Sequence, residues 1–589
     1  MNLGVIDTIQ IFVIRLMITL AAMTVASSEM AFAEEEAPDY FATHSQLNDQ
    51  NVRNLLSQER CYANEQAFLG CILAVNTLLN NADVPMIFTN YRTQKLPEIG
   101  EVVKAVENIQ LQKINTLFKP DSNKTPVQLA KENDLATKQS HQAWRALFAE
   151  TQNDPVSFAA LLNEALAQKI SKYRGQVLAM AINSYLNSAV DPHTNLWSIK
   201  ETEEMMNTKE ETFTGIGSQL SFNRELKIEL YPMEESPSLA AGVRKKDILT
   251  HINGRAVQPK DREEFNNIID LLLGEENTSV SITVLRAGKR IELTITRRPI
   301  SIKILDGKII TNSRTKQKIG HIRLHSFMQK DLCKDFVTLA KDLHSQGAES
   351  LILDVRGNAG GDLREVLCMV SSFVEVNQNL LLFQDPQTNL LINSVKNNSM
   401  AIATRQMLYA PQAEELYNLF NKKPLVVLQD ARSGSASELL PGALQSYGRV
   451  VTVGVRSYGK GTMQQGPTDP RTVGLDEIEG TQLLSTAARF HFADGSTNQI
   501  TGILPDFEVY ANPNPTEEDL YARREADLYT NAVHAGIKKP KGISTETKAR
   551  ITNCMNINTN IAGEYTKDEQ SALGADYQLL TAKAVASCL

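Results

Sequence analysis

From Lys318 to Val455 the chain alternates short apolar runs with helical stretches, and no other feature restricts its fold as strongly. Ile319–Leu324, Ser350–Asp354, Leu425–Leu428 and Val450–Val455 read as strands, and Lys334–Leu343, Leu363–Phe373 and Ala436–Ser446 as helices. Parallel strands can be joined only by a crossover, so this rhythm predicts a largely parallel sheet covered by helices. Sites on such sheets gather where strands end. Three segments lie at such ends: Arg356-Gly357-Asn358-Ala359-Gly360-Gly361, Ser433-Gly434-Ser435-Ala436-Ser437-Glu438 and Ser457-Tyr458-Gly459-Lys460-Gly461-Thr462-Met463-Gln464.

The third segment admits two chemistries. Gly454 to Lys460 has the spacing of a phosphate-binding loop, but Gly461 stands where that loop needs Ser or Thr for magnesium, and no helical pattern follows. The other chemistry is general base catalysis by Lys460. A lysine with an ordinary pKa of about 10.4 must be lowered by roughly 3 units to act near neutrality, which burial achieves. In an extended run Lys460, Thr462 and Gln464 share a face, so Gln464 would orient the amine. A surface lysine in a glycine-rich turn is the plain alternative. Ser435 also has two readings. With Glu438 it fits a helix capping box; the same position suits a nucleophile, because free N–H groups and the helix dipole stabilise developing negative charge. Neither G-x-S-x-G nor a histidine partner accompanies Ser435, so a Ser–Lys dyad is the better pairing.

Taken together, Asp354 to Gly361, Gly434 to Glu438 and Tyr458 to Gln464 resemble the carboxyl-terminal processing peptidases, or tail-specific proteases. Asp191-Pro192-His193-Thr194-Asn195 and Thr214-Gly215-Ile216-Gly217 are similar to that family's run into its PDZ domain. Pro237 to Val243, Asp247-Ile248-Leu249 and Ile252-Asn253-Gly254 resemble the PDZ core. The resemblance implies Ser435 as nucleophile, Lys460 as general base and Gln464 as the residue orienting the lysine. It implies an oxyanion hole from the backbone N–H of Ala436 with one from Gly360 or Gly361. The PDZ module would hold a substrate's free carboxylate on the loop Gly215, Ile216, Gly217 and Ser218, with the tail added as a strand beside Gln219–Phe222. Protein substrates bound by their C-terminal tails are the implied partners. An adaptor protein or self-assembly is the use left open for the helical flanks. No metal or cofactor is implied. A non-catalytic PDZ scaffold is the rival function.

Two residues depart from the family pattern. Pro441 falls inside the helix after Ser435, where an interior proline costs about 3 kcal/mol, so an unusual helix register is expected. Lys246 stands where the PDZ pattern has glycine before Asp247, so a different turn is expected.

The expected architecture is α/β and multidomain: an α/β peptidase core with an inserted PDZ domain and helical N- and C-terminal regions. The expected boundaries are a signal peptide at 1–33, a helical domain at 34–210, PDZ at 211–299, the serine peptidase core at 300–513 and a helical extension at 514–589. The apolar run Leu16–Ala26 followed by Ala31-Phe32-Ala33 reads as a secretory signal cleaved after Ala33, so a periplasmic or otherwise exported protein is expected. Export makes the six cysteines disulfide candidates. Six allow 15 connectivities, of which local closure suggests Cys61–Cys71, Cys333–Cys368 and Cys554–Cys588. Zinc is the rival use, but no CxxC pair is present. A net charge of −8 without basic clusters argues against nucleic acid. His321 and His325 read as structural, without a nearby acidic ligand, and His193 likewise as structural.

Overall fold

The structure is a computed structural model of the 589-residue chain. It describes residues 39–80, 148–149, 151–153, 155, 157–167, 174–207, 212–222, 227–233, 236–257, 262–301, 304–312, 315–329, 331–386, 388, 390–397, 411–511, 524–528, 538–558 and 576–589. The expected signal peptide lies outside them. No helix among the described residues is long and apolar enough to cross a membrane. The chain divides into two compact units, one from Lys303–Gly466 and Thr486–Leu589, the other within Ile18–Ile302 and Pro467–Ser485.

The first unit is built on a six-stranded sheet. Lys318–Leu324, Ser350–Asp354, Leu425–Gln429, Val451–Gly454 and Phe507–Glu508 run parallel in that order, with Leu305–Thr311 antiparallel on the outer edge of the first. Every residue of Ser350–Asp354 and Leu425–Gln429 is buried, which is why these strands read as continuous apolar runs. Alternation splits their side chains between two cores. Leu351, Leu353 and Val427 join the helices Leu332–Ser345, Leu363–Ser371 and Ala436–Ser446 on one face. Ile352, Val426 and Leu428 pack with Ala582, Val585 and Ala586 of the helix Tyr577–Cys588 on the other. A hairpin of Asn379–Gln384 and Leu391–Lys396, paired with residues 489–491, was not foreseen.

The helix Ala436–Ser446 runs unbroken through Pro441, so the unusual register expected there does not occur. Residues 436–445 are all buried, and that packing outweighs the lost hydrogen bond. The neighbouring Gly442 is required: a Cβ there would lie 2.1 Å from Phe492 Cζ.

In the second unit the helices Glu65–Asn80, Phe158–Ala167 and Arg174–Ala189 share one apolar core. Residues 212–301 form a separate small module. Ser218–Phe222, Ile228–Pro232, Asp247–Ile252, Ser279–Arg286 and Lys289–Thr296 make an antiparallel sheet in that order. Ile268, Ile269 and Leu272 of the helix Arg262–Leu272 close its core. The entering strand Thr212–Gly215 pairs antiparallel with the leaving strand Arg298–Ser301, so the module begins and ends at one place, as an insertion must.

Lys246 has φ 69°. The turn before Asp247 therefore keeps the left-handed geometry natural to glycine, contrary to the expectation of a different turn. An L-residue there costs about 1–2 kcal/mol, of which glycine's entropy returns about half. Lys246→Gly should therefore stabilise the module by roughly 0.5–1 kcal/mol, measured as a raised urea midpoint at constant m value.

The six cysteines form Cys61–Cys71, Cys333–Cys368 and Cys554–Cys588. The second joins the helices Leu332–Ser345 and Leu363–Ser371; the third joins Thr545–Asn558 to Tyr577–Cys588.

Candidate active site

Ser435 terminates the turn that leads from the strand Leu425–Gln429 into the helix Ala436–Ser446. Its backbone is strained, at φ 55° and ψ −118°. Such conformations cost of order 1–3 kcal/mol and persist only where surrounding contacts enforce them. A nucleophilic serine on a sharp strand-to-helix turn has this strain in common.

The enforcing contact is Glu438, which is fully buried. Its Oε2 accepts the N–H of Ser435 at 3.0 Å and the N–H of Lys460 at 2.9 Å. Its Oε1 accepts Gly459 N–H at 2.8 Å and Ser457 Oγ–H at 2.5 Å. One carboxylate thus ties the serine segment to the lysine segment, and all four of its lone pairs are used. Burial pushes the Glu438 carboxyl up to about 7, against the pull of these donors. The capping-box reading is half of what Glu438 does; the other half crosses to residues 19 to 22 positions on.

Lys460 is 2% exposed. Its Nζ donates to Gln464 Oε1 at 2.5 Å and to Thr462 O at 3.2 Å, both neutral oxygens. Gln464 is oriented in turn, its Nε2 donating to Thr462 Oγ1 at 3.1 Å and Thr486 Oγ1 at 3.2 Å. Thr462–Thr468 is a strand with Thr462 and Gln464 buried on one face. A strand where a phosphate loop requires a helix removes the nucleotide-binding reading.

A second clamp on the lysine escaped sequence reading. Asn498 Nδ2 donates to Lys460 O at 2.9 Å, Gln499 Oε1 accepts Gly461 N–H at 2.6 Å, and Ile500 N–H donates to Gly459 O at 2.6 Å. Phe490 N–H completes the set on Gly461 O at 3.0 Å. Every backbone polar group of Gly459, Lys460 and Gly461 is thereby held. Gly459 and Gly461 make room for this clamp rather than for the amine: a Cβ on either would lie within 2.9 Å of the 499–500 backbone. Ile500 adopts φ 66°, a genuine outlier for a β-branched residue. The only sequence signal was an unpatterned polar run, Ser496-Thr497-Asn498-Gln499, which ordinarily marks a solvated loop.

Gly360 packs directly on the serine: a Cβ there would be 2.9 Å from Ser435 Cβ and 3.0 Å from Ala436 N. Its own N–H donates to Asn358 Oδ1 at 2.9 Å. Gly361 forms a parallel bridge with Phe327 through the flanking groups Gly360 O and Asp362 N–H, so its own N–H faces away from Phe327. Neither Gly361 N–H nor Ala436 N–H meets an acceptor among the described residues.

The loop 356–361 begins at an ion cluster. Asp354 is fully buried and bonded to Arg356 at 2.9 and 2.6 Å and to His321 at 3.3 Å. Burial raises its carboxyl, but Arg356, His321 and Arg323 overcome this and hold it far below the usual carboxylate range. His325 pairs separately with Asp306 at 2.9 Å. Both histidines therefore have acidic neighbours, contrary to the sequence reading, because partners come from adjacent strands. No group of metal-ligating side chains occurs among the described residues. His193 is buried, its N–H on Asp191 Oδ1 at 2.9 Å.

Gly215, Ile216, Gly217 and Ser218 belong to the other unit. Gly217 has φ 67°, and the carbonyls of Ile216 and Gly217 accept Ser238 N–H and Met233 N–H at 2.8 and 3.0 Å. The Gly217 N–H meets no acceptor among the described residues, while the antiparallel bridge of Gly215 with Leu273 turns the Ile216 N–H toward Leu272 O. The adjoining Ser218–Phe222 is an edge strand.

Residues 318–509 match the family model described as Peptidase family S41. A "Probable CtpA-like serine protease" of Staphylococcus aureus (strain N315) is 26% identical over 329 residues, covering 56% of this chain and 59% of that protein. A "Carboxy-terminal-processing protease" of Bartonella bacilliformis is 26% identical over 340 residues, covering 57% and 70%. Among solved structures, a photosystem II D1 C-terminal processing protease aligns at 23% identity and a TM-score of 0.36, covering 69% of this chain and all of that one. The chain thus matches about three-fifths of the length of the staphylococcal relatives.

Proposed function

Since residues 318–509 match the model of peptidase family S41, we propose that the chain is an exported serine endopeptidase selecting proteins by their C-terminal tails and cleaving them through Ser435 and Lys460. The observation that carries this reading is the sharing of one Glu438 oxygen by the backbone amides of Ser435 and Lys460. It ties the backbone of the candidate nucleophile to the backbone of the buried lysine.

In the proposed reaction Ser435 Oγ attacks the scissile carbonyl carbon and passes its proton to Lys460 Nζ. Burial disfavours an ammonium, which suits an amine acting as base. Gln464 Oε1 and Thr462 O aim its lone pair. The oxyanion takes hydrogen bonds from Ala436 N–H and Gly361 N–H; Gly360 N–H is engaged by Asn358 and drops out. One such donor is worth about 2.7–4 kcal/mol in the transition state. Lys460 then protonates the leaving amine, and water releases the acyl group with Lys460 again as base. Residues 212–301 act as the PDZ module. The Gly215–Ser218 loop, through the Gly217 N–H, receives the tail carboxylate, and the tail extends the sheet along Ser218–Phe222. The bridge Cys61–Cys71 and its two counterparts support an oxidising, exported setting.

The test is cleavage of an unstructured polypeptide ending in small apolar residues, beside the same polypeptide with an amidated end. Wild type should cleave the free-carboxylate form faster by about tenfold or more, the worth of one lost charged contact. Ser435→Ala should cleave neither. Equal rates for wild type and Ser435→Ala would discard the dyad; equal rates on the two tails would discard carboxylate recognition.

A further inference from the structure

The described residues 543–558 and 576–589 lie beyond the 318–509 match, yet they pack on its sheet. The helix Tyr577–Cys588 covers the face formed by Ile319, Ile352, Val426 and Val451, and the Cys554–Cys588 bridge ties it to Thr545–Asn558. Its first turn reaches the active-site loop. The two carboxylate oxygens of Asp576, the N-cap of this helix, accept from Arg356 Nη1 and Nη2 at 2.8 and 2.9 Å. Gln578 Oε1 accepts from the same Nη1 at 3.1 Å, and its Nε2 donates to Val509 O at 2.9 Å.

Arg356 is thus gripped from both sides, by Asp354 from beneath the sheet end and by Asp576 from the helix. Arg356 is also the first residue of the loop that carries Gly360 and Gly361. From it the loop is fixed stepwise. Gly357 N–H donates to Asp430 Oδ1 at 2.9 Å, Asn358 O accepts Gly434 N–H at 3.1 Å, and Asn358 Oδ1 accepts Gly360 N–H. A planar guanidinium held bidentately on two edges has little freedom left, so its backbone becomes a fixed starting point for the loop.

We propose that Asp576 is a positioning residue for the Ser435 site: through Arg356 it holds the loop whose Gly360 packs against Ser435 and Ala436. The proposal rests on the peptidase reading for its effect on rate, and on geometry alone for its effect on the loop. Asp576 also caps its helix, accepting Leu579 N–H at 3.0 Å, so the test must separate capping from bracing. Asparagine is as good an N-cap as aspartate but carries no charge.

The experiment compares the full chain with Asp576→Asn and Asp576→Glu in steady-state cleavage and in backbone hydrogen exchange of residues 357–361. Asp576→Asn should keep the wild-type unfolding temperature within about 2 °C, since its cap survives. It should lower kcat about tenfold at unchanged KM, as a misplaced catalytic group does, and speed exchange of 357–361 about tenfold. Asp576→Glu should recover most of both losses. Wild-type kcat and wild-type exchange in Asp576→Asn would overturn the proposal, as would a loss that Asp576→Glu shares in full. Should wild type cleave nothing while exchange of 357–361 still responds, the peptidase reading falls and the bracing stands.

Discussion

Lys460→Ala and Lys460→Arg should both lose at least about 10⁴-fold in kcat, close to the loss from Ser435→Ala, because members of a catalytic unit fail together. The arginine variant is the informative one. A lysine valued here for its charge or its hydrogen bonds to Gln464 and Thr462 would be replaced tolerably by a guanidinium. A general base would not, because arginine stays protonated at any working pH. Lys460→Ala alone is less decisive, since it leaves Gln464 Oε1 buried without its donor, at a cost of about 1–3 kcal/mol. Circular dichroism and unfolding midpoints establish that the variants are folded. Arginine at 460 retaining more than a hundredth of wild-type kcat would remove the lysine from the role of base.

Glu438→Gln carries the second large effect. The carboxylate receives four donors, and a glutamine presents an NH₂ to two of them. Two buried N–H or O–H groups then lose their acceptor, at about 1–3 kcal/mol each. Roughly 3 kcal/mol of stability and at least about a hundredfold in kcat should be lost, since the two amides that share Oε2 belong to Ser435 and Lys460.

The same group sets opposing pH trends in wild type. Burial raises the Glu438 carboxyl from 4.5 to about 7. Between those values the folded chain binds one proton more than the unfolded chain, so stability is greatest below pH 4.5 and declines as pH rises through 7, by about 3 kcal/mol from this group. Activity should run the other way. A proton on Glu438 removes one acceptor from the set that receives Ser435, Ser457, Gly459 and Lys460, so kcat should fall as pH drops below 7. Denaturant midpoints and kcat measured from pH 5 to 8 read both trends, and Glu438→Gln should flatten the first. Parallel trends in wild type would show that Glu438 does not titrate in this range.

What the sequence determined by itself is everything encoded by local pattern. The strand Ser350–Asp354 and the helix Ala436–Ser446 fall at their expected bounds, because a fully buried strand and a mostly apolar helix with a capping residue declare themselves within about ten residues. The three strand-end segments were legible for the same reason: glycines, a serine ahead of a helix and a lone lysine are local signals. Tertiary structure alone decided what joins them. Glu438 as the link from the serine segment to the lysine segment, the Asn498–Ile500 clamp on the lysine backbone, and Asp576 on Arg356 all pair residues from 19 to 220 positions apart. Hydrogen bonds carry no periodicity, and a polar residue destined for burial looks in sequence like one destined for solvent. Which of the Gly360 and Gly361 amides is engaged was likewise withheld, since it depends on the contacts made by Asn358 and Phe327, and a strand pairing leaves no mark on the two glycines themselves.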